Sequence, residues 1–157
     1  MNTSCLRLIE AGGKISQDLG MGRIVGQVLL YLYLSPAEAS LDEIGSELGL
    51  SKASISIAAR QLETFGLLRR VWKKGDRKSY YKTTDNIALA LRQGLVSFFR
   101  QKVSSFGSEL DCTLDALGEE HNEELDFLRR RVRRAKQLQS RLESVVENPV
   151  VRFLSKD

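Results

Sequence analysis

Cysteine and histidine are scarce in this chain of 157 residues, which contains only Cys5, Cys112 and His121. Two isolated cysteines without CxxC spacing argue against a disulfide framework and a zinc site, although a redox role for either one is left open. His121 has three glutamates nearby but no second nitrogen or sulfur ligand, so we expect no metal site. GxSxG, Walker and GxGxxG motifs are also missing, which predicts a protein that is not an enzyme and holds no cofactor.

Long apolar runs are absent as well. The longest, Val28 to Leu34, includes two tyrosines and is far shorter than the roughly 20 residues of a membrane span. The N-terminus lacks the basic-then-apolar pattern of a secretory signal. These absences predict a cytoplasmic protein without a membrane partner.

Positive charge, in contrast, is concentrated in one stretch of the sequence. The whole chain carries a net charge of +4, whereas residues 51–82 contain nine lysines or arginines and two acids, a local balance of +7. A concentration of this kind indicates an anionic partner, and double-stranded DNA is the first candidate.

The same stretch begins with the pattern of a helix-turn-helix. Ser40 and Glu43 have the spacing of a capping box, which predicts a helix that starts at Leu41. Gly49 tolerates a positive φ angle and should end that helix. Ser51 is a suitable N-cap for a second helix over residues 52–65, which a glycine then ends.

The second predicted helix has one apolar face and one unusual outer face. At about 100° per residue, the apolar side chains should be buried together, namely Ile55, Ala58, Ala59, Leu62 and Phe65. Small outer side chains let a helix approach base edges, where hydroxyls, an isoleucine and an arginine can make contacts. An ordinary solvated face, the alternative, would carry more glutamate and lysine. The candidate DNA-contact residues here are Ser51, Lys52, Ala53, Ser54, Ser56, Ile57 and Arg60.

A basic hairpin follows the second helix. Residues 67–72 and 79–82 read as two short strands, and residues 73–78 as the turn between them. We call the hairpin of residues 67–82 the wing. Its turn adds further candidate DNA contacts, and a solvated hairpin tip is the alternative for these charges; the candidates are Lys73, Lys74, Asp76, Arg77 and Lys78.

These patterns together resemble the winged helix-turn-helix regulators of the MarR superfamily, and most of all its GbsR-like branch. The resemblance rests on Gly22-Arg23-Ile24-Val25-Gly26, Leu34-Ser35-Pro36, Leu48-Gly49-Leu50-Ser51-Lys52, Arg60-Gln61-Leu62-Glu63, Gly66 to Trp72, Gly75-Asp76-Arg77-Lys78 and Tyr80-Tyr81. It implies that the Asp76–Arg77 pair brings the arginine into the minor groove. It also implies a small-molecule effector, with choline or glycine betaine as one candidate and with effector-binding residues unknown.

The remaining chain reads as helices. An N-terminal helix over residues 3–19 is either continuous or divided at Gly12-Gly13, and residues 23–34 form the next helix. After the wing, Thr84 and Asp85 can cap one long helix that extends to residue 117. A second apolar seam of heptad character lies between residues 119 and 149, made of Leu125, Leu128, Val132, Ala135, Leu138, Leu142 and Val145.

We therefore expect a mainly α fold with a small β-wing. Its predicted parts are an N-terminal helix that contributes to a dimer interface (1–22), a winged helix-turn-helix DNA-binding domain (23–84) and a long helical dimerisation region (85–157). Two long apolar helices predict a homodimer, with a monomeric helical hairpin as the alternative. The predicted function is a sequence-specific transcriptional regulator, more specifically a repressor. The alternative is a winged helix that contacts proteins and not DNA.

Overall fold

The computed structural model describes residues 1–118 and 122–147 of the chain. Their contacts form two compact units, the first from Met1 to Gly94 and the second from Leu95 onward. The elements in chain order are α1 (Thr3–Asp18), α2 (Arg23–Leu34), β1 (Ala39–Ser40), α3 (Leu41–Leu48), α4 (Lys52–Thr64), β2 (Leu68–Trp72), β3 (Ser79–Thr83), α5 (Ile87–Ala116) and α6 (Glu123–Glu147). The predicted class, mainly helical with a small sheet, is confirmed.

Helix α1 is continuous through Gly12 and Gly13, so the alternative of a division there is wrong. The glycines lie where α1 packs tightly on α2. A Cβ on Gly26 of α2 would stand 2.3 Å from the carbonyl oxygen of Gly12, and one on Gly13 would stand 2.8 Å from Gln27. Glycine here allows two helix backbones to approach each other closely, and it does not interrupt either helix.

The core of the first unit lies between α2, α3, α4 and the sheet. Val28, Ile44 and Ile55 are fully buried at its centre. The inner face of α4 is buried as predicted at four of its five positions, and Phe65 is only half-buried. Burial of side chains of this size contributes about 1.5–3 kcal/mol each, which fixes the orientation of α4 and therefore of its outer face.

The sheet has three antiparallel strands in the order β1-β3-β2. The two wing strands pair with Arg70 opposite Tyr81 and with Trp72 opposite Ser79. The two-residue strand β1 pairs Ala39 with Tyr81 on the other side of β3. The sequence did not predict β1, and its pairing attaches the wing to the start of α3.

The second unit is a helical hairpin of α6 and the part of α5 from Leu95 onward. The side chain of Lys136 on α6 donates to the carbonyl oxygen of Gly107 at 3.2 Å and lies 2.6 Å from the Asp111 carboxylate, both on α5. Gln139 donates to the carbonyl oxygen of Val103 at 3.2 Å. Helix α5 is continuous through Gly107, which Gln139 covers.

The ends of the long helices differ in part from the prediction. Asn86 caps α5, because its side chain accepts from the Leu89 amide at 3.1 Å. The predicted caps, Thr84 and Asp85, therefore lie just before the residue that caps the helix. Helix α6 begins at Glu123 in the described residues, so the predicted limits at 119 and 149 lie outside them. Within residues 1–118 and 122–147, no helix is both long enough and apolar enough to span a membrane.

Candidate nucleic-acid interface

The first helix of the helix-turn-helix is fixed by the predicted capping box. The Ser40 hydroxyl accepts from the Glu43 amide at 3.3 Å, and the Glu43 carboxylate accepts from the Ser40 amide at 2.6 Å. This backbone hydrogen bond from Ser40 is the main reason why the pKa of Glu43 is lowered. Gly49 then adopts the left-handed conformation, with φ of 64°. The turn into α4 is therefore determined by local residues.

Helix α4 begins where the sequence indicated. The Ser51 hydroxyl accepts from the Ser54 amide at 3.2 Å, which caps the helix. The outward side chains Lys52, Ala53, Ile57 and Arg60 are exposed, and Ile57 is 61% exposed. Ser54 and Ser56 are half-buried. An apolar side chain that protrudes among short polar ones is suited to a groove, where it can contact a thymine methyl.

Arg60 lies on the same face, one turn after Ser56. Its Nε donates to the Ser56 carbonyl oxygen at 3.4 Å. Among the described residues no carboxylate pairs with Arg60, whereas Arg70 on β2 lies 3.5 Å from Glu63. The guanidinium of Arg60 thus keeps most of its donors available to an external acceptor.

The wing turn is organised by the Asp76 carboxylate. One oxygen accepts from the Lys78 amide at 2.8 Å, and the other accepts from the Tyr80 hydroxyl at 2.7 Å. These bonds, the Lys78 amide first, lower the pKa of Asp76, and the bond to Asp76 raises the pKa of Tyr80 to about 12. Lys74 and Arg77 are exposed at the same turn, without a carboxylate partner among the residues that the structure describes. Asp76 therefore shapes the turn that displays Arg77.

A single carboxylate connects α4 to the wing. Asp42, in the first turn of α3, has one oxygen 2.8 Å from the Lys52 ammonium and the other 3.7 Å from the Lys78 ammonium. The hydrogen bond from Lys52 is the main cause of the lowered pKa of Asp42. Because both lysines reach the same group, the start of α4 and the wing turn lie on one side of the first unit.

A second carboxylate, Glu38, pairs with the wing in the same way. The Lys73 ammonium lies 3.3 Å from Glu38 and 4.0 Å from the centre of the Tyr80 ring. The pKa of Glu38 is lowered, first by a backbone hydrogen bond and then by Lys73. The predicted cations of the interface thus fall into a paired group (Lys52, Lys73, Lys78) and a group without carboxylate partners in the described chain (Arg60, Lys74, Arg77).

The wing aromatics do not form a cage around an open space. The Arg70 guanidinium lies 6.0 Å from the Trp72 ring and 5.5 Å from the buried Tyr81 ring. Lys73 already covers Tyr80. Each of these rings thus already has a cation of the chain itself near one face. No group of three potential metal ligands converges in the described parts of the chain, and His121 lies outside them.

Comparison with known proteins agrees with this geometry. Residues 19–79 match the model of the MarR family. This segment, which runs from just before α2 to the first residue of β3, is similar to that family. The chain is 26% identical over 149 residues to the HTH-type transcriptional regulator MmpR5 of Mycobacterium tuberculosis. This alignment covers 94% of this chain and 86% of that protein.

Two further proteins are similar to this chain. It is 31% identical over 74 residues to the HTH-type transcriptional repressor OpcR of Bacillus subtilis, 47% of this chain and 40% of that protein. A crystal structure of a transcriptional regulator aligns with a TM-score of 0.68 at 24% identity, over 98% of this chain and 99% of that one. The structural likeness shows that the fold is shared over nearly the whole length.

Two residues of the surface formed by α4 and the wing were missed from the sequence. Glu38 and Asp42 lie outside the basic stretch of residues 51–82, and nothing in their local pattern connects them to the wing. Their pairing with Lys73, Lys52 and Lys78 depends on how the folded chain places β1 beside β3 and α3 beside α4. The one available signal was their acidic charge immediately before a cationic segment.

Proposed function

We propose that this chain is a transcriptional regulator that binds double-stranded DNA, sequence-specifically, as a homodimer. The observation that carries the proposal is the shared carboxylate of Asp42, which brings the start of α4 and the wing turn to one side. Ile57 and Arg60 of α4 and Arg77 of the wing turn are exposed. A groove-reading helix beside a cationic hairpin is the arrangement by which winged helices bind duplex DNA.

In this proposal α4 enters the major groove with its outer face. Ser56, Ile57 and Arg60 contact base edges, because short hydroxyls, an exposed methyl group and a guanidinium match the donors, acceptors and methyl groups displayed there. Lys52 and Ser51 lie at the N-terminal end of the helix, where backbone amides and a positive dipole favour contact with a phosphate. The small side chain of Ala53 lets the first turn approach the DNA.

The wing supplies contacts that depend less on base sequence. Arg77 extends into the minor groove, and Lys73, Lys74 and Lys78 meet phosphates on either side. Asp76 supports these contacts indirectly, since its carboxylate is occupied by Lys78 and Tyr80. Binding is then steeply dependent on salt, because each lysine or arginine contact with a phosphate releases counterions.

The dimer is proposed from the apolar side chains that the helical hairpin leaves uncovered. On α6, four side chains of the apolar seam are between 40% and 61% exposed, although the helix already packs on α5; they are Leu128, Leu138, Leu142 and Val145. Helix α1 of the first unit also exposes Leu8 and Ile15. A second copy would bury such residues, and two α4 helices about 34 Å apart could then reach successive major grooves.

We further propose a repressor of the GbsR-like branch that acts in the cytoplasm and responds to a small-molecule effector. The resemblance of residues 19–82 to that branch supports this, as does the likeness of 74 residues of the chain to a protein named as a repressor. The effector is not assigned to the wing, where the rings already contact Lys73 and Arg70.

The proposal is tested by selecting genomic fragments that bind the chain and then measuring fluorescence anisotropy on the selected duplex and on a scrambled duplex. Arg77→Ala should weaken binding to both duplexes and reduce the slope of log K against log salt by about 1. Arg69→Ala is the matched control, since Arg69 is also an exposed wing arginine but is paired with Asp85 at 2.7 Å.

Two results would contradict the proposal. If the wild-type chain binds no duplex, the winged helix serves another purpose, such as contact with a protein. If Arg77→Ala and Arg69→Ala behave alike on both duplexes, the wing turn does not contact DNA and only α4 remains in the interface.

A further inference from the structure

We propose that Asp42 and Glu38 are internal competitors for DNA phosphate, which hold Lys52, Lys78 and Lys73 in the free protein and release them to the duplex on binding. They thereby limit affinity for DNA of any sequence. This inference rests on the proposed function, because it concerns the same surface of α4 and the wing.

The positions of the two carboxylates support this role. Asp42 reaches Lys52 at 2.8 Å and Lys78 at 3.7 Å, and Glu38 reaches Lys73 at 3.3 Å. Each of these lysines belongs to the predicted DNA contacts, on α4 or on the wing turn. The carboxylate oxygens thus occupy positions beside these ammonium groups that phosphate oxygens can take in a complex with DNA.

The pairs are exposed enough to exchange partners. The side chains of Asp42, Lys52 and Lys78 are 45%, 65% and 58% exposed. Ion pairs in contact with water are weak, since the ions stay hydrated and salt screens their attraction. A duplex, with one negative charge per about 1.7 Å of axis, can therefore draw a lysine from a single carboxylate.

Exchange leaves an unpaired carboxylate beside the DNA backbone. The carboxylate and the DNA phosphates are both negative and repel each other, and this repulsion does not depend on base sequence. This repulsion weakens the binding of specific and non-specific duplexes equally. Arg60, Lys74 and Arg77, which have no carboxylate partner among the described residues, carry no such cost. The acids therefore restrain general attraction to DNA while the base contacts of α4 remain unchanged.

The test compares Asp42→Asn, Glu38→Gln and the double variant with the wild-type chain, using the selected duplex and the scrambled duplex. Each single variant should bind both duplexes more tightly by the same factor, and the double variant should gain more. The log–log salt slope should steepen by up to about 1 per removed acid, so that the gain is about 3–4-fold larger at 50 mM than at 200 mM salt.

Asp85→Asn is the matched control. It also removes one carboxylate from an exposed ion pair, with Arg69 at 2.7 Å, and changes the net charge equally. Asp85 lies after β3, at the base of the wing and away from its turn. The control should change neither the affinity nor the slope appreciably. Circular dichroism melting of each variant verifies that α3, which loses an acid from its first turn in Asp42→Asn, remains folded.

The outcomes separate this inference from the proposed function. If the wild-type chain binds DNA and the Asp42 and Glu38 variants bind equally or less tightly, the carboxylates do not compete with phosphate, and the inference alone fails. If Asp85→Asn tightens binding as much, the effect belongs to net charge and the inference also fails. If the wild-type chain binds no duplex, the proposed function fails and this inference fails with it.

Discussion

Arg60 is the residue at which base reading and phosphate binding are most clearly separable. Its guanidinium is exposed on α4 and bonds only weakly to the Ser56 carbonyl oxygen, at 3.4 Å. A guanidinium presents a rigid planar fork that matches guanine N7 and O6, whereas a lysine ammonium of the same charge is a point charge on a flexible stem and fixes this geometry less well. Arg60 should therefore contribute to sequence preference beyond its charge.

The variant Arg60→Lys tests this residue. It should reduce discrimination at one base pair by about 1–3 kcal/mol while affinity for a scrambled duplex changes little. Competition binding against a set of singly substituted operators measures the loss. Arg77→Ala provides the contrast, since it should weaken all duplexes. If Arg60→Lys retains the full sequence preference, the planar fork of Arg60 does not contribute to base reading.

The hydrogen-bond partners of individual wing residues could not be predicted from the sequence. The role of the Asp76–Arg77 pair on DNA stays a prediction, but the structure gives the two side chains different surroundings, since Arg77 is exposed without a carboxylate partner among the described residues. Asp76 uses its oxygens on Lys78 and Tyr80. A charged pair read from sequence does not reveal which member is internally bonded, because that depends on the path of the turn.

At the scale of elements, the best-predicted features were those set by neighbours in sequence. The capping box at Ser40, the cap at Ser51 and the left-handed Gly49 are determined within a few residues. Strand β1 was missed because two residues carry no periodic signal, and its pairing with β3 spans about forty residues of chain. The ion pairs of Asp42 with Lys78 and of Glu38 with Lys73 were missed because they also join residues that lie far apart in sequence.

The contact between α1 and α2 gives a prediction at this scale. Gly26→Ala should destabilise the protein by about 1–3 kcal/mol, because the new methyl group would meet the Gly12 backbone and would force the helices apart. Urea denaturation followed by circular dichroism measures the change.

Gly12→Ala is the matched control for this contact. Its methyl group would meet the Leu30 side chain, which can rotate, and would lie 3.7 Å from the Gly26 carbonyl oxygen. Both changes gain about 1 kcal/mol in helix propensity, so the difference between them isolates the backbone clash. Equal stability of the two variants would show that α1 and α2 are not held at this distance.

At the scale of the whole molecule, the dimer is predicted from surfaces that a single chain leaves uncovered. Leu138→Glu, at a position that is 59% exposed on α6, should place a charge in the dimer contact and yield the monomer. Sedimentation equilibrium should give about twice the chain mass of 17.7 kDa for the wild-type protein and one chain mass for the variant.

Ile57→Glu is the control for that experiment. Ile57 is 61% exposed and is equally apolar, but it lies on the proposed DNA face of α4. This variant should remain dimeric and lose DNA binding, because a carboxylate in the major groove meets phosphate repulsion. A wild-type monomer, or a dimer that persists in Leu138→Glu, would remove α6 from the dimer contact.

The order of helices and the mainly helical class were predictable from apolar periodicity, whereas the arrangement of two copies was not. The exposed seam on α6 indicates that a partner is needed but does not fix the distance between the two α4 helices. That distance depends on which residues of the two chains contact each other, and sequence patterns do not show this pairing.

The most direct test of the central claim is hydroxyl-radical footprinting of the wild-type chain on its selected operator. Two copies that each place α4 in a major groove should protect two backbone regions about 10 base pairs apart on one face of the duplex. Insertion of about five base pairs between them should abolish tight binding, because it turns one site to the opposite face. A single protected region, or binding that is indifferent to the insertion, would contradict a dimer that reads DNA through paired α4 helices.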